Sequence, residues 1–287
     1  MVWTYPEPTG HDSSFDGEQR LKRINLILLS VSLWPGLLLP AGAGPTILPH
    51  VYANGNSLAA KLGGDLYQSL DPKFQCFIRP NPVLVQNSEE PVITPVAMGD
   101  GEQACGGVSL SAGYIDLLNH LAHAKAIDRV QPGYFEQYVA NVARGTGSNA
   151  LPDLPNIVDN RFWTIDVMNE QASYFNQMMG VTLAINFAYH YLGSYHQYSP
   201  RMLAGKLVPI NTFIPTEDWE AGVKAGVLNC LNCAVAMDGA EALFGAIDKM
   251  PRRPAWAAFL APPGADLKSL VTQMSKYQFM YFHGQLK

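Results

Sequence analysis

Asn186-Phe187-Ala188-Tyr189-His190-Tyr191-Leu192-Gly193-Ser194-Tyr195-His196 is the stretch on which the reading of this chain turns. It lies near the end of a helical tract running from about Phe162 to Gln197, closed by Pro200. Positions 186 and 190 are one turn apart and share a helix face. His190 is an ordinary metal ligand, whereas Asn186 offers only a neutral amide oxygen. His196 follows six residues later, about 600° round the helix, and meets the same ion only if the chain bends at Gly193. The other reading of these residues is an amphipathic core helix with two incidental histidines. Unbroken, the 36-residue tract would reach about 54 Å, longer than a domain of this size. A break is therefore expected near Met178-Met179-Gly180.

Outward from this tract, helices and strands separate along the chain. Leu58, Leu62, Leu66 and Leu70 recur every fourth residue, which predicts a helix over Ser57–Leu70. Phe74–Ile78, Val83–Gln86 and Val92–Met98 are short, β-branched or aromatic, and bounded by Pro, Asn and Gly, the signature of strands. Gly106–Ser111 is a fourth strand running into a helix, Tyr114–Ile127. Pro132–Val142 follows as a helix with Pro in its first turn, and Gly145–Asn156 reads as a loop. Beyond the long tract come helices over Asp218–Met237, with Thr216 as N-cap, over Ala240–Met250 and over Asp266–Tyr281. Strands precede residue 112 and helices follow it, so the class is α+β, mainly helical, with a small sheet.

The 287 residues are 48% apolar and only 15% charged, enough to build a substantial core. A net charge of −5, with no basic cluster beyond Arg20-Leu21-Lys22-Arg23, argues against nucleic acid as a partner. That basic group precedes 16 largely apolar residues, 24–39, and the small residues Ala41-Gly42-Ala43. This order is that of a secretion signal; the run, interrupted by Asn25, Ser30, Ser32 and Pro35, is short for a stable membrane span. The expected organisation is thus a leader over 1–43 and a single domain over 44–287, exported to the periplasm or outside the cell. In an oxidising compartment Cys76 and Cys105 are candidates for a disulfide. Cys230 and Cys233 form C-x-x-C without a second pair, inside a helical segment, and read as packed core thiols.

Three segments carry a family resemblance. The 186–196 stretch is similar to H-E-x-x-H-x-x-G-x-x-H, with His190, Gly193 and His196 in register, but with Asn186 at the first His and Phe187 at the catalytic Glu. Asp218-Trp219-Glu220-Ala221-Gly222 resembles E-x-E-A-D, placing Asp218 at a ligand Glu and Gly222 at the Asp that orients a metal-bound His. Cys105-Gly106-Gly107-Val108-Ser109-Leu110-Ser111-Ala112-Gly113-Tyr114-Ile115-Asp116-Leu117-Leu118 resembles P-G-G-x-I-x-V-x-x-G-L-L. Together they resemble the HtpX-like and CAAX-protease-like gluzincins, metallopeptidase family forty-eight, as a degenerate member. The resemblance implies a zincin-like fold, and a cleft in which Gly106, Gly107 and Val108 pair with an extended peptide or unfolded protein segment. It implies a metal set drawn from Asn186, His190, His196 and Asp218, with zinc held weakly or not at all. With Phe187 in the general-base position, no catalytic residue remains and peptidase activity is expected to be impaired. The alternatives are a peptide- or protein-binding scaffold using the inherited cleft, and an active metallopeptidase with a rearranged site.

Other chemistry has weaker signals. His120 and His123 have H-x-x-H spacing, compatible with a metal, but lack a local acidic partner and read as a solvated helix face. Asp166 and Glu170 read as a polar face, Glu170 lying about 24 Å from Asn186 along a straight helix. Tyr189, Tyr191, Tyr195 and Tyr198 line a groove or, more simply, a core stripe. Nucleophile-elbow, Walker and dinucleotide-binding patterns are missing.

Overall fold

A computed structural model describes residues 54–99, 104–144 and 151–286. The leader expected over 1–43 lies outside the described residues. The fold is α+β, mainly helical, with a three-stranded mixed sheet and a separate two-stranded hairpin. Helix α1 (Gly55–Ser69) is followed by one helical turn, α2 (Pro72–Gln75). Then come strands β1 (Ile78–Gln86), β2 (Ile93–Met98) and β3 (Cys105–Ser111). Helices α3 (Ala112–Ile127), α4 (Tyr134–Arg144) and α5 (Ile165–Tyr191) lead to a short helix, α6 (Ser194–Tyr198). The hairpin β4 (Arg201–Leu203) and β5 (Lys206–Val208) precedes α7 (Thr216–Asn232), α8 (Asp238–Lys249) and α9 (Leu267–Phe282). Among the described residues, no helix is long and apolar enough to cross a membrane.

Helix α5 is the axis of the domain. From Met178 to His190 every residue is buried, so this half has no solvent face, the pattern of a core helix. Helices α1, α3, α7 and α8 and strands β1 to β3 all pack against it. The break expected at Met178–Gly180 is not there. Gly180 sits inside the continuous helix, close to Val235, and the chain turns instead at Gly193, whose φ of 84° is left-handed. Helix α7 has Pro215 rather than Thr216 at its N-cap and ends at Asn232, short of Met237.

Two of the expected strands differ. Phe74 lies in the helical turn α2, and β1 runs continuously through Pro80 and Pro82. These prolines are tolerated because β1 is an edge strand. The strand order is β1-β3-β2, with β1 parallel and β2 antiparallel to β3. The Gly106–Ser111 segment is therefore the middle of the sheet, not its edge.

The β1–β2 connection crosses the far end of β3, where one hydroxyl holds it. Ser111 Oγ donates to Glu90 O (2.6 Å) and accepts from Val92 N (2.9 Å) and, as N-cap of α3, from Tyr114 N (3.0 Å). That uses the full capacity of a hydroxyl. Gly113 N donates to Ser88 O at 2.8 Å, and a methyl on Gly113 would overlap the Glu89 carbonyl. Ser111→Ala removes a cap and takes the partner from two backbone donors, Val92 N and the buried Tyr114 N, and from the Glu90 carbonyl, so a loss of about 2 kcal/mol in urea unfolding is expected. A loss below about 0.5 kcal/mol, within the range of neutral surface changes, would show that the crossing is held elsewhere.

Candidate functional site

The segments of the family resemblance meet where α5 lies between α7 and the sheet. On the α7 side the contact is made by small residues. A methyl on Gly222 would come within 2.9 Å of the Tyr189 ring, and one on Gly226 within 2.8 Å of the Ile185 nitrogen. The two backbones thus approach closely and run antiparallel, and Tyr189 is pinned by its hydroxyl to Asn211 Oδ1 at 2.7 Å. The helix of His190 does pack beside the helix of Asp218. Since Gly222 is level with Tyr189, Asp218 is level with the end of α5, about one turn beyond it. Asp218 is half-buried in the first turn of α7 with Glu217, where a carboxylate favours the helix dipole. Among the described residues, no hydrogen bond or ion pair joins it to His190.

On the sheet side, His190 is 6% exposed, its Nε2 3.0 Å from Gly107 O. A carbonyl only accepts, so Nε2 carries the proton and Nδ1 the lone pair. The ring lies over Gly106, where a methyl would come within 2.6 Å of its Cδ2 and Nδ1 atoms. Its other neighbour is Tyr195, with ring centroids 4.5 Å apart. Burial is the main cause that lowers the His190 pKa to about 4; the bond to Gly107 O opposes this and His196 adds to it. The imidazole is neutral at physiological pH.

The remaining positions do not converge on it. Asn186 is buried and donates from Nδ2 to Thr182 O of its own helix at 2.7 Å. Phe187 is 0% exposed. His196 is exposed on α6, beyond Tyr195. Among the described residues, no three His, Cys, Asp or Glu side chains come together as a metal site. The donor set fits zinc poorly: one imidazole with its Nε2–H engaged, a second, His196, exposed on α6, one amide, and a carboxylate a turn beyond the end of α5.

Gly106, Gly107 and Val108 are buried within β3, which pairs on both sides. An added peptide strand has no access to them, so the edge pairing expected there is corrected by the strand order. The sheet edge nearest His190 is instead the outer side of β2. There Ala97 N donates to the Tyr195 hydroxyl at 3.1 Å, in the direction a partner strand's carbonyl would occupy. Pro95, two residues away, points its missing N–H the same way and costs the ladder nothing. Tyr195 thus spans from His190 to the β2 edge. The sequence signal for this was the left-handed Gly193 just before it, which swings α6 back over the sheet.

The H-x-x-H pair is not a solvated face. His123 is fully buried, with Nε2 2.8 Å from Phe162 O, and His120 is half-buried with Nδ1 3.1 Å from the Tyr138 hydroxyl. Glu170 pairs with Arg129, far from Asn186 on the unbroken helix. Cys230 is buried and Cys233 half-buried at the end of α7. Burial pushes both thiols up, Cys233 to about 11, which leaves them protonated and unreactive at neutral pH. Cys76 is exposed, its Sγ on Lys73 O at 3.3 Å, and Cys105 is half-buried at the start of β3.

No family model, curated protein or solved structure matches the chain.

Proposed function

We propose that this protein is an exported, non-catalytic relative of the gluzincin metallopeptidases, in which the helix that would carry the metal serves as the buried axis of the domain. One observation carries the reading: the His190 Nε2–H is bonded to Gly107 O while Phe187, in the general-base position, is shut inside the core. A base normally supplies about 10²–10⁴-fold of rate and must touch the attacking water; a buried phenyl ring does neither. Export rests on the basic, apolar, small-residue order of residues 20–43.

A second reading, a scaffold for extended peptides, is favoured by the β2 edge. The Ala97 N–H there meets a side-chain hydroxyl rather than another strand, so an added peptide strand displaces Tyr195 to pair with it. If a peptide is held, β2 rather than β3 receives it.

The test is metal titration with a proteolysis assay on the purified chain. Zinc should show no high-affinity site and little thermal stabilisation, and unfolded casein should survive with and without chelator. Stoichiometric zinc surviving dialysis, with casein cleavage abolished by chelator and by His190→Ala, would overturn the proposal in favour of a rearranged working site.

A further inference from the structure

The last two turns of α9 are aromatic, yet none of their residues is buried. Leu267, Leu270 and Met274 fix the first half of this helix in the core, and beyond Met274 burial stops. Tyr277 and Tyr281 still lie against the body, the Tyr281 hydroxyl donating to Asn232 Oδ1 at 3.0 Å. Ser275, Phe279, Phe282 and His283 fall at i, i+4, i+7 and i+8 and form a second stripe, turned away from those tyrosines. Phe279 is 58% and Phe282 65% exposed. His283 stacks on Phe279, ring centroids 4.0 Å apart and planes 27° from parallel. The stripe faces the first turn of α8 across an open groove of about 320 Å³, walled by these rings and by Asp238 and Glu241. An exposed aromatic surface of this kind marks an interaction site.

The polar atoms around the groove mostly accept. His283 Nδ1 is 2.8 Å from Phe279 O; a carbonyl only accepts, so Nδ1 carries the proton and the neutral ring keeps a lone pair on Nε2. Ser275 Oγ donates to Glu241 Oε1 at 2.6 Å, and Gln278 Oε1 is held by Met237 N at 2.7 Å. Among the described residues neither Asp238 nor Glu241 is in an ion pair, and no cation stands over the Phe279 or Phe282 ring. An occupant that fits must bring positive charge, several donors and a flat face. A guanidinium has all three, five donors in a planar fork and a surface that stacks on aromatic rings. An ammonium is compact and strongly hydrated and makes less of the rings. An aliphatic side chain would take water from two carboxylates and return nothing.

We propose that the groove between α8 and α9 binds an arginine side chain of a partner polypeptide. Its guanidinium stacks on the Phe279–Phe282 stripe and donates to the Asp238 and Glu241 carboxylates. The inference does not rest on the α5–β3 site or on the functional reading above.

The experiment is an NMR titration of the aromatic resonances of the full chain with a blocked Gly-Arg-Gly peptide and with its lysine and citrulline counterparts. Citrulline keeps the shape of arginine and loses its charge. The arginine peptide should shift the rings of Phe279, Phe282 and His283 saturably, and bind more tightly than either counterpart, about tenfold over citrulline. Asp238→Asn with Glu241→Gln should weaken it about tenfold and Phe282→Ala about fivefold. Glu89→Gln with Glu90→Gln, exposed carboxylates on the β1–β2 connection, should leave it unchanged. Lysine or citrulline peptides binding as tightly as arginine would overturn the proposal, as would equal weakening by the Glu89 and Glu90 changes. So would a chain that is dimeric in ultracentrifugation and becomes monomeric with Phe279→Ala, since a second copy would then cover the stripe.

Discussion

Phe187→Glu is expected to prevent folding rather than restore a general base. The side chain is 0% exposed in the wholly buried half of α5. Deleting a buried phenyl ring costs about 3–5 kcal/mol in lost transfer energy and cavity. A carboxyl in the same place has no partner, and even protonated it adds the cost of an unsatisfied polar group, about 1–3 kcal/mol. The sum approaches the whole stability of a typical domain, about 5–15 kcal/mol. The variant should be insoluble or lack native near-ultraviolet circular dichroism, and adding Asn186→His should not help. Phe187→Leu, apolar and smaller, should fold with a loss of about 1–2 kcal/mol. A folded, soluble Phe187→Glu protein with near-normal Tm would mean that position 187 faces water.

Gly106→Ala should be the next most damaging change, and its damage should depend on His190. The added methyl would collide with a ring that has little room to retreat, held by Gly107 O and backed by Tyr195. Overpacking of this kind costs about 1–3 kcal/mol, and the upper end applies where the neighbour is held. His190→Ala alone opens a cavity and leaves the Gly107 carbonyl without its donor, at about 2–3 kcal/mol. In the double variant the methyl enters space that the ring vacates. The two losses should therefore fall short of additivity by at least about 1 kcal/mol, measured as a cycle of urea midpoints. Strict additivity would show that ring and strand are not in contact.

Which features were legible in the sequence follows from which physical signals are local. The fourth-residue leucines of α1 gave away its buried face, because helical periodicity is a property of neighbours. Prolines hid β1: Pro80 and Pro82 read as boundaries, yet an edge strand tolerates missing donors. Gly180 and Gly193 are the same residue type with opposite roles. One packs inside a straight helix and the other supplies a positive φ, and only the surroundings separate them. His120 and His123 read as solvated because spacing does not report what a distant segment covers, here residues about forty positions further on. The α5–α7 contact was legible through ordered motifs, whereas the depth of Phe187 and the central place of β3 were set by tertiary pairing.

The order of strands in the sheet has a consequence for the newly made chain. On the ribosome β1 and β2 emerge first, but they are the two outer strands and never pair with each other. Each must wait for residues 105–111 to be synthesised before it has a partner. During that interval apolar segments carrying Ile78, Val83, Ile93 and Val96 stand unpaired, the condition in which nascent chains stick to one another or recruit chaperones. Pro80, Pro82 and Pro95 remove three donors from just these segments. In the finished sheet they are tolerated at the edges; in a strand still waiting for its partner each leaves one donor fewer for a wrong neighbour to pair with.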